Sequence, residues 1–231
     1  MLTAIGLGAL SAGSLVIGVL VAFVRRWSPR QIGIVLGFGA GALVSAVSFE
    51  LAEEGLRLGG LGYTALGLAA GALTYYVLDG VIERRFPDGA GTSLALGAFL
   101  DGVPEQLVLG ITVASGEGVG IGLLVAIFIS NLPEATGSAS QMLEHGTRHR
   151  RILALWVAVA VLCTAATGAG WGMASVAPDE LRAAIDGFAA GALLVMLSDS
   201  MIPDARRGAG PVAGLATTLG FAVAIALSSL S

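Results

Sequence analysis

Lysine is absent from this chain, and ionisable residues of any kind are sparse: twelve arginines, sixteen acids and two histidines among 231 residues. A net charge of −4, with no basic tract interleaved with aromatics, argues against a nucleic-acid partner. One cysteine, Cys163, excludes an intrachain disulfide. No segment reads GxxxxGK(S/T), so no ATP-binding loop is present, and HExxH or GxGD with a partner YD are missing too, so known intramembrane hydrolase motifs are lacking. No enzyme and no resident cofactor is expected.

What the chain has instead is apolar length. Hydrophobic residues make up 55% and charged residues 12%, with a mean hydropathy of +0.87, a balance suited to lipid as solvent. Runs long enough to cross a hydrocarbon core, roughly 20 residues, recur from end to end. They predict an all-α, polytopic membrane helix bundle of about eight transmembrane helices near residues 2–24, 31–56, 60–82, 92–115, 118–143, 152–175, 182–204 and 210–230. The first run has no basic residues before it and Arg25 and Arg26 after it, as in a retained helix rather than a signal peptide. No linker or composition shift divides the chain, so residues 1–231 are expected to form one transmembrane domain.

Arginine placement orients the bundle. Ten arginines (Arg25, Arg26, Arg30, Arg84, Arg85, Arg148, Arg150, Arg151, Arg206 and Arg207) fall in alternate loops, which the positive-inside rule assigns to the cytoplasm. Arg57 and Arg182 lie on the other side, among Glu53, Glu54, Glu117, Asp179 and Glu180. Both termini are then extracytoplasmic, and the plasma (inner) membrane is the expected location.

Two internal similarities suggest a repeat. Gly37 to Gly55, GFGAGALVSAVSFELAEEG, aligns without gaps on Gly187 to Ala205, GFAAGALLVMLSDSMIPDA, with seven of nineteen positions identical and Glu54 opposite Asp204. Asp101 to Glu105, DGVPE, resembles Ser130 to Glu134, SNLPE. The first pair relates helices two and seven and the second relates four and five, and the members of each pair cross the membrane in opposite directions. That is the pattern of an inverted-topology repeat, common in secondary transporters. Small residues four apart, such as Gly33, Gly37 and Gly41 or Gly187 and Gly191, suit close helix packing in lipid.

The acids of helices four and five are the chemical anomaly. Asp101 and Glu105 are one helical turn apart on one face, separated by about 6 Å along the axis. On helix five, Ser130, Glu134, Ser138 and Gln141 form a polar stripe with Asn131 beside it. An ionised carboxylate at mid-bilayer costs about 2.5–3.5 kcal/mol, and every arginine lies in or near a loop. Protons or a mobile cation are the remaining neutralisers, and oxygen ligands suit divalent ions. Pro104 and Pro133, each followed by a glutamate, remove a helix hydrogen bond and free the carbonyls of Leu100 and Ile129, a feature tolerated at membrane depth where the backbone lines a cavity.

With DGVPEQ on helix four and SNLPEA on helix five, the chain resembles the ZIP (Zrt-, Irt-like protein) metal transporters, whose fourth helix usually reads HNxPEG and whose fifth reads H(E/D/N)xPE. It looks like a divergent, prokaryotic-type member. The resemblance implies a 3+2+3 inverted-repeat arrangement of helices, a homodimer, and a metal site built from Asp101, Glu105, Ser130, Asn131 and Glu134. Asp101 stands where the family has histidine, and Glu105 and Glu134 match its bridging glutamates. Cys163 is placed near the depth of a further ligand on helix six. Both motif histidines are missing and Gly102 replaces the asparagine, so an all-oxygen site for manganese, ferrous iron or magnesium is open beside zinc.

The expected function is a divalent metal cation transporter, a ZIP-like permease moving a transition metal such as zinc, manganese or iron into the cytoplasm, with the ion as substrate rather than cofactor. The alternative is a proton-coupled carrier or channel for another solute, with the same carboxylates as a proton relay. Glu50, Glu53 and Glu54 at one mouth and Asp199 and Asp204 at the other could concentrate cations. Glu144, His145 and His149 read as a solvated loop.

Overall fold

A computed structural model describes residues 1–231 apart from 26, 86–91, 116–120, 175 and 230–231, and it leaves the side chains of residues 82, 83, 85, 92–101, 115, 121, 122, 133 and 141 undescribed. Among the described residues every regular element is helical: α1 (Leu2–Val24), α2 (Pro29–Ser45), a π-helical segment (Ala46–Ala52), α3 (Glu53–Arg85), α4 (Thr92–Ser115), α5 (Ile121–Glu144), α6 (His149–Ala174), α7 (Asp179–Met196), a second π-helical segment (Leu197–Met201), α8 (Ile202–Ala209) and α9 (Val212–Ser228).

Local chemistry marks the ends. Ser28 and Gln31 form a reciprocal capping box, Ser28 Oγ accepting from the Gln31 N–H at 3.3 Å and Gln31 Oε1 from the Ser28 N–H at 3.2 Å, with Pro29 following. At the end of α5, the Thr147 N–H bonds the Met142 carbonyl and the Gly146 N–H that of Leu143, both at 2.9 Å. This closure needs Gly146 at φ 79, a left-handed conformation that glycine adopts without steric penalty. The stretch Pro29–Val81 is helical and apolar over 53 residues, about 80 Å of helix and far more than one bilayer crossing. It turns at Gly60, φ 73, which separates two passes inside α3. With each π-helical segment continuing its neighbours, the described residues form eight rods, close to the expected spans.

These rods make an all-α, polytopic membrane bundle. Leu2–Val24, His149–Ala174 and Asp179–Ala209 are also long and apolar enough to cross a bilayer, and Gly102–Ala114 and Val212–Ser228 are shorter apolar helices. The outward surface is lipid-like: Leu61, Leu66, Leu73, Tyr76, Leu215 and Leu219 are all more than half exposed. Such a belt is stable against acyl chains and unfavourable against water.

The most extensive packing joins α3 to α7, α4 to α6, α2 to α9 and α1 to α5. Adding 150 to a residue number of the second rod gives its partner in the aligned stretch. Ala46 maps to position 196, so the two π-helical segments fall almost on one another. Ser48 Oγ donates to the Val44 carbonyl and Ser198 Oγ to that of Leu194, both at 2.8 Å. A Cβ at Gly41 would strike the Thr217 carbonyl of α9, and one at Gly191 would strike the Leu68 carbonyl of α3. Likewise Gly220 lies against the Phe38 carbonyl and Gly71 against that of Phe188. Corresponding positions therefore make corresponding contacts.

Candidate functional site

On α4, residues 102, 106 and 110 recur every fourth position and share one face, which meets α6. A Cβ at Gly102 would lie 2.7 Å from Cys163 Sγ, and one at Gly110 would strike the Thr167 carbonyl. Cys163 is 1% exposed. Between the two glycines, Gln106 is also 1% exposed. Its Nε2 donates to Ser11 Oγ of α1 at 2.7 Å, and its Oε1 accepts from Thr167 Oγ1 of α6 at 2.7 Å.

Glu105 precedes this amide and is 1% exposed. One turn on, Val108 and Leu109 enter the main apolar core with Leu43 and Val47, Ala126 and Ile127 of α5, and Leu193 of α7. Helical geometry therefore directs the Glu105 side of α4 between α6 and that core. Asp101 occupies the preceding turn of α4, but its side chain lies outside the described residues, as do those of Pro133 and Gln141.

The polar stripe of α5 is inside the bundle. Ser130 and Asn131 are 2% and 3% exposed, and Ser138 is buried. Glu134 is half-buried. Gly39 lets α2 come close here, since a Cβ there would approach Ser130 Cα to 3.0 Å. Ser130 Oγ donates to the Ile127 carbonyl at 3.1 Å. Asn131 Nδ2 and Ser138 Oγ are buried with no hydrogen-bond partner. They sit three residues before and four after Glu134 on the same side of the helix, and α4 packs against α5. Buried polar atoms are nearly always bonded, so two orphans flanking a carboxylate leave donor capacity facing an unfilled role. Rotating the Asn131 amide by 180° would present its carbonyl oxygen in place of Nδ2. Among the described residues no three His, Cys, Asp or Glu side chains cluster as a metal cage.

Other acids are distributed at the ends of the rods. Glu50 lies half-buried in the first π-helical segment, its carboxyl group facing the Ser228 side chain and the Leu123 backbone. Asp199, in the second segment, is exposed. Glu54 pairs with Arg57 at 2.6 Å, and Asp204 pairs with Arg207 at the position 150 residues on. Asp186 of α7 is 3% exposed and within electrostatic reach of Glu54 and Arg182. Sequence reasoning passed over Asp186 and Gln106, although each opens an apolar run.

A cavity of about 650 Å³ lies at the α5–α6 turn, away from the α4–α5 seam, lined by His145, Gly146, Thr147, Arg148, Arg150 and Arg151. Three arginines oppose a cation there. His149 packs edge-on against Phe23 at 4.5 Å between ring centroids.

A membrane-embedded helix bundle whose interior carries carboxylates, amides and hydroxyls belongs among integral membrane proteins with a polar interior. The family model described as "ZIP Zinc transporter" matches residues 81–228, and the chain belongs to that family, one of transporters rather than enzymes. It is 27% identical over 227 residues to the Arabidopsis thaliana protein named "Putative zinc transporter", an alignment covering 93% of this chain. The chain spans 36% of the length of that relative.

Proposed function

We propose that this chain carries a divalent metal cation across the bilayer, with Asp101, Glu105, Ser130, Asn131 and Glu134 as its mid-membrane site. The observation that carries this reading is the α5 stripe: Glu134 lies between the orphaned Asn131 Nδ2 and Ser138 Oγ, on a helix packed against the one that buries Glu105. A cation meeting two carboxylates relieves their buried charge, and the Asn131 amide, rotated so that its oxygen takes the place of Nδ2, adds a further oxygen ligand. Family membership and the name of the plant relative favour zinc. The all-oxygen donor set keeps manganese and ferrous iron as competitors.

The remaining parts follow the same reading. Residues 1–231 act as one transporter domain, working as a homodimer in the plasma (inner) membrane, termini outside, with flux into the cytoplasm. The paired π-helical segments, glycine contacts and acid–arginine pairs support a 3+2+3 inverted repeat. The hydrogen bonds of Gln106 and of Thr136 Oγ1 to the Gly18 carbonyl at 3.0 Å tie α1, α4, α5 and α6 together. The other rods meet through glycines, so one group moving against the other exposes the site alternately to each side.

Vesicles reconstituted with Glu105→Gln or Glu134→Gln are expected to lose zinc uptake by at least tenfold relative to wild type. Unchanged uptake in both variants removes the site. The second reading is a proton relay serving another solute, with the buried Glu105 and the half-buried Glu134 passing the proton. Under that reading purified protein shows no saturable binding of zinc, manganese or iron, while the same variants abolish proton flux.

A further inference from the structure

We infer that Gln106 is a positioning residue for metal binding: its fully buried amide locks the rotation of α4 so that Glu105 faces the ion. The inference rests on the proposed site, and it concerns a residue where the family's usual HNxPEG carries glycine.

The geometry is a chain of bonds through three helices. Ser11 Oγ donates to the Gly8 carbonyl at 3.1 Å, which leaves its oxygen to accept from Gln106 Nε2 at 2.7 Å. Ser14 Oγ donates in turn to the Ser11 carbonyl. On the far side, Thr167 Oγ1 donates to Gln106 Oε1 at 2.7 Å. Ser11 and Thr167 are both 0% exposed, and Gly8 supplies the room, since a Cβ there would collide with the Thr167 side chain. One amide thus joins α1, α4 and α6 in a medium where no water competes for its bonds.

Its position on α4 gives this clamp a purpose beyond packing. Pro104, two residues earlier, lies inside the helix, removing a backbone hydrogen bond and leaving α4 free to bend or swivel there. Successive helical residues point about 100° apart, so a side chain held at 106 sets the direction of the side chain at 105. A swivel of roughly 20° would move a carboxylate some 6 Å from the axis by about 2 Å. Metal–oxygen distances tolerate only about 0.2 Å, and a ligand left without its positioning partner weakens metal binding by about 10–100-fold. The neutral amide does this without adding charge beside Glu105.

The test compares Gln106→Met, similar in length and without the amide, with Thr167→Val, which removes one hydroxyl, and Thr167→Ser, which restores it. The measurements are zinc binding to purified full-length protein, KM and maximal rate of zinc uptake in vesicles, and thermal unfolding. Gln106→Met and Thr167→Val are expected to raise Kd and KM for zinc by about tenfold, beyond any change in maximal rate or melting temperature, and Thr167→Ser is expected to return both to near wild type. Should Gln106→Met or Thr167→Val lower stability while leaving Kd and KM unchanged, the clamp only packs helices and the inference is wrong. Glu105→Gln run alongside separates the two levels. If it binds and transports zinc normally, the site itself fails; if it is inactive while the Gln106 and Thr167 variants match wild type, positioning alone fails. If Gln106→Met does not fold, the Thr167 pair decides.

Discussion

Replacing Gly191 by alanine tests how closely α7 approaches α3. A Cβ at that position would sit 2.8 Å from the Leu68 carbonyl carbon, where carbon atoms pack comfortably at about 3.5–4.0 Å. The helices must therefore separate by roughly 0.7 Å or more, and overpacking of this kind costs about 1–3 kcal/mol. Alanine recovers about 1 kcal/mol of helix propensity wherever it replaces mid-helix glycine, so the proper reference is Gly13→Ala on α1, where a Cβ meets nothing within 4 Å. Gly191→Ala should fall below that control by the full overpacking cost, a melting difference of about 2–12 °C at roughly 2–4 °C per kcal/mol. Thermal unfolding in detergent, followed by intrinsic fluorescence, reads this directly. Gly41→Ala, whose Cβ would lie 2.7 Å from the Thr217 carbonyl carbon, should lose a similar amount. If Gly191→Ala and Gly13→Ala melt together, the close approach is absent. If Gly191 is sensitive and Gly41 is not, the two halves are not equivalent.

Two further outcomes follow from burial. Asn131→Leu exchanges an orphaned buried amide for an apolar side chain, so stability in detergent should stay within about 1 kcal/mol of wild type or rise, while zinc uptake falls at least tenfold; a variant that transports normally would show that Asn131 is not a ligand. Cys163 is 1% exposed, so maleimide should label it only after denaturation, and rapid labelling of folded protein would mean that α4 and α6 separate in solution.

The sequence was legible wherever one residue type forces one conformation or one solvent. Apolar runs place the rods to within a few residues because lipid leaves the backbone little alternative to helix; the Ser28 cap and the turns at Gly60 and Gly146 emerge only from local bonds and φ values in the structure. The polar stripe of α5 follows from its three- and four-residue spacing, and Ser130, Asn131 and Ser138 are buried as that spacing requires. The π-helical segments were not legible, since an extra residue per turn leaves no compositional mark in a run such as AVSFELA. Nor was the Gln106 clamp, which depends on Ser11 and Thr167, 95 and 61 residues away in the chain. Asp186 carries no mark of its burial in the sequence either, because that burial comes from the packing of α7 against α3 rather than from its neighbours in the chain. Asp199 reads as an acid at one mouth of the bundle, and its side chain is exposed.

A metal ion held between α4 and α5 is the claim on which the transport account rests, and anomalous scattering from zinc-loaded crystals tests it most directly. The expected result is a peak at the zinc edge about 2.0–2.2 Å from carboxylate oxygens of both Glu105 and Glu134, lost in Glu105→Gln. No peak at saturating zinc, or one confined to the His145 turn, would contradict it.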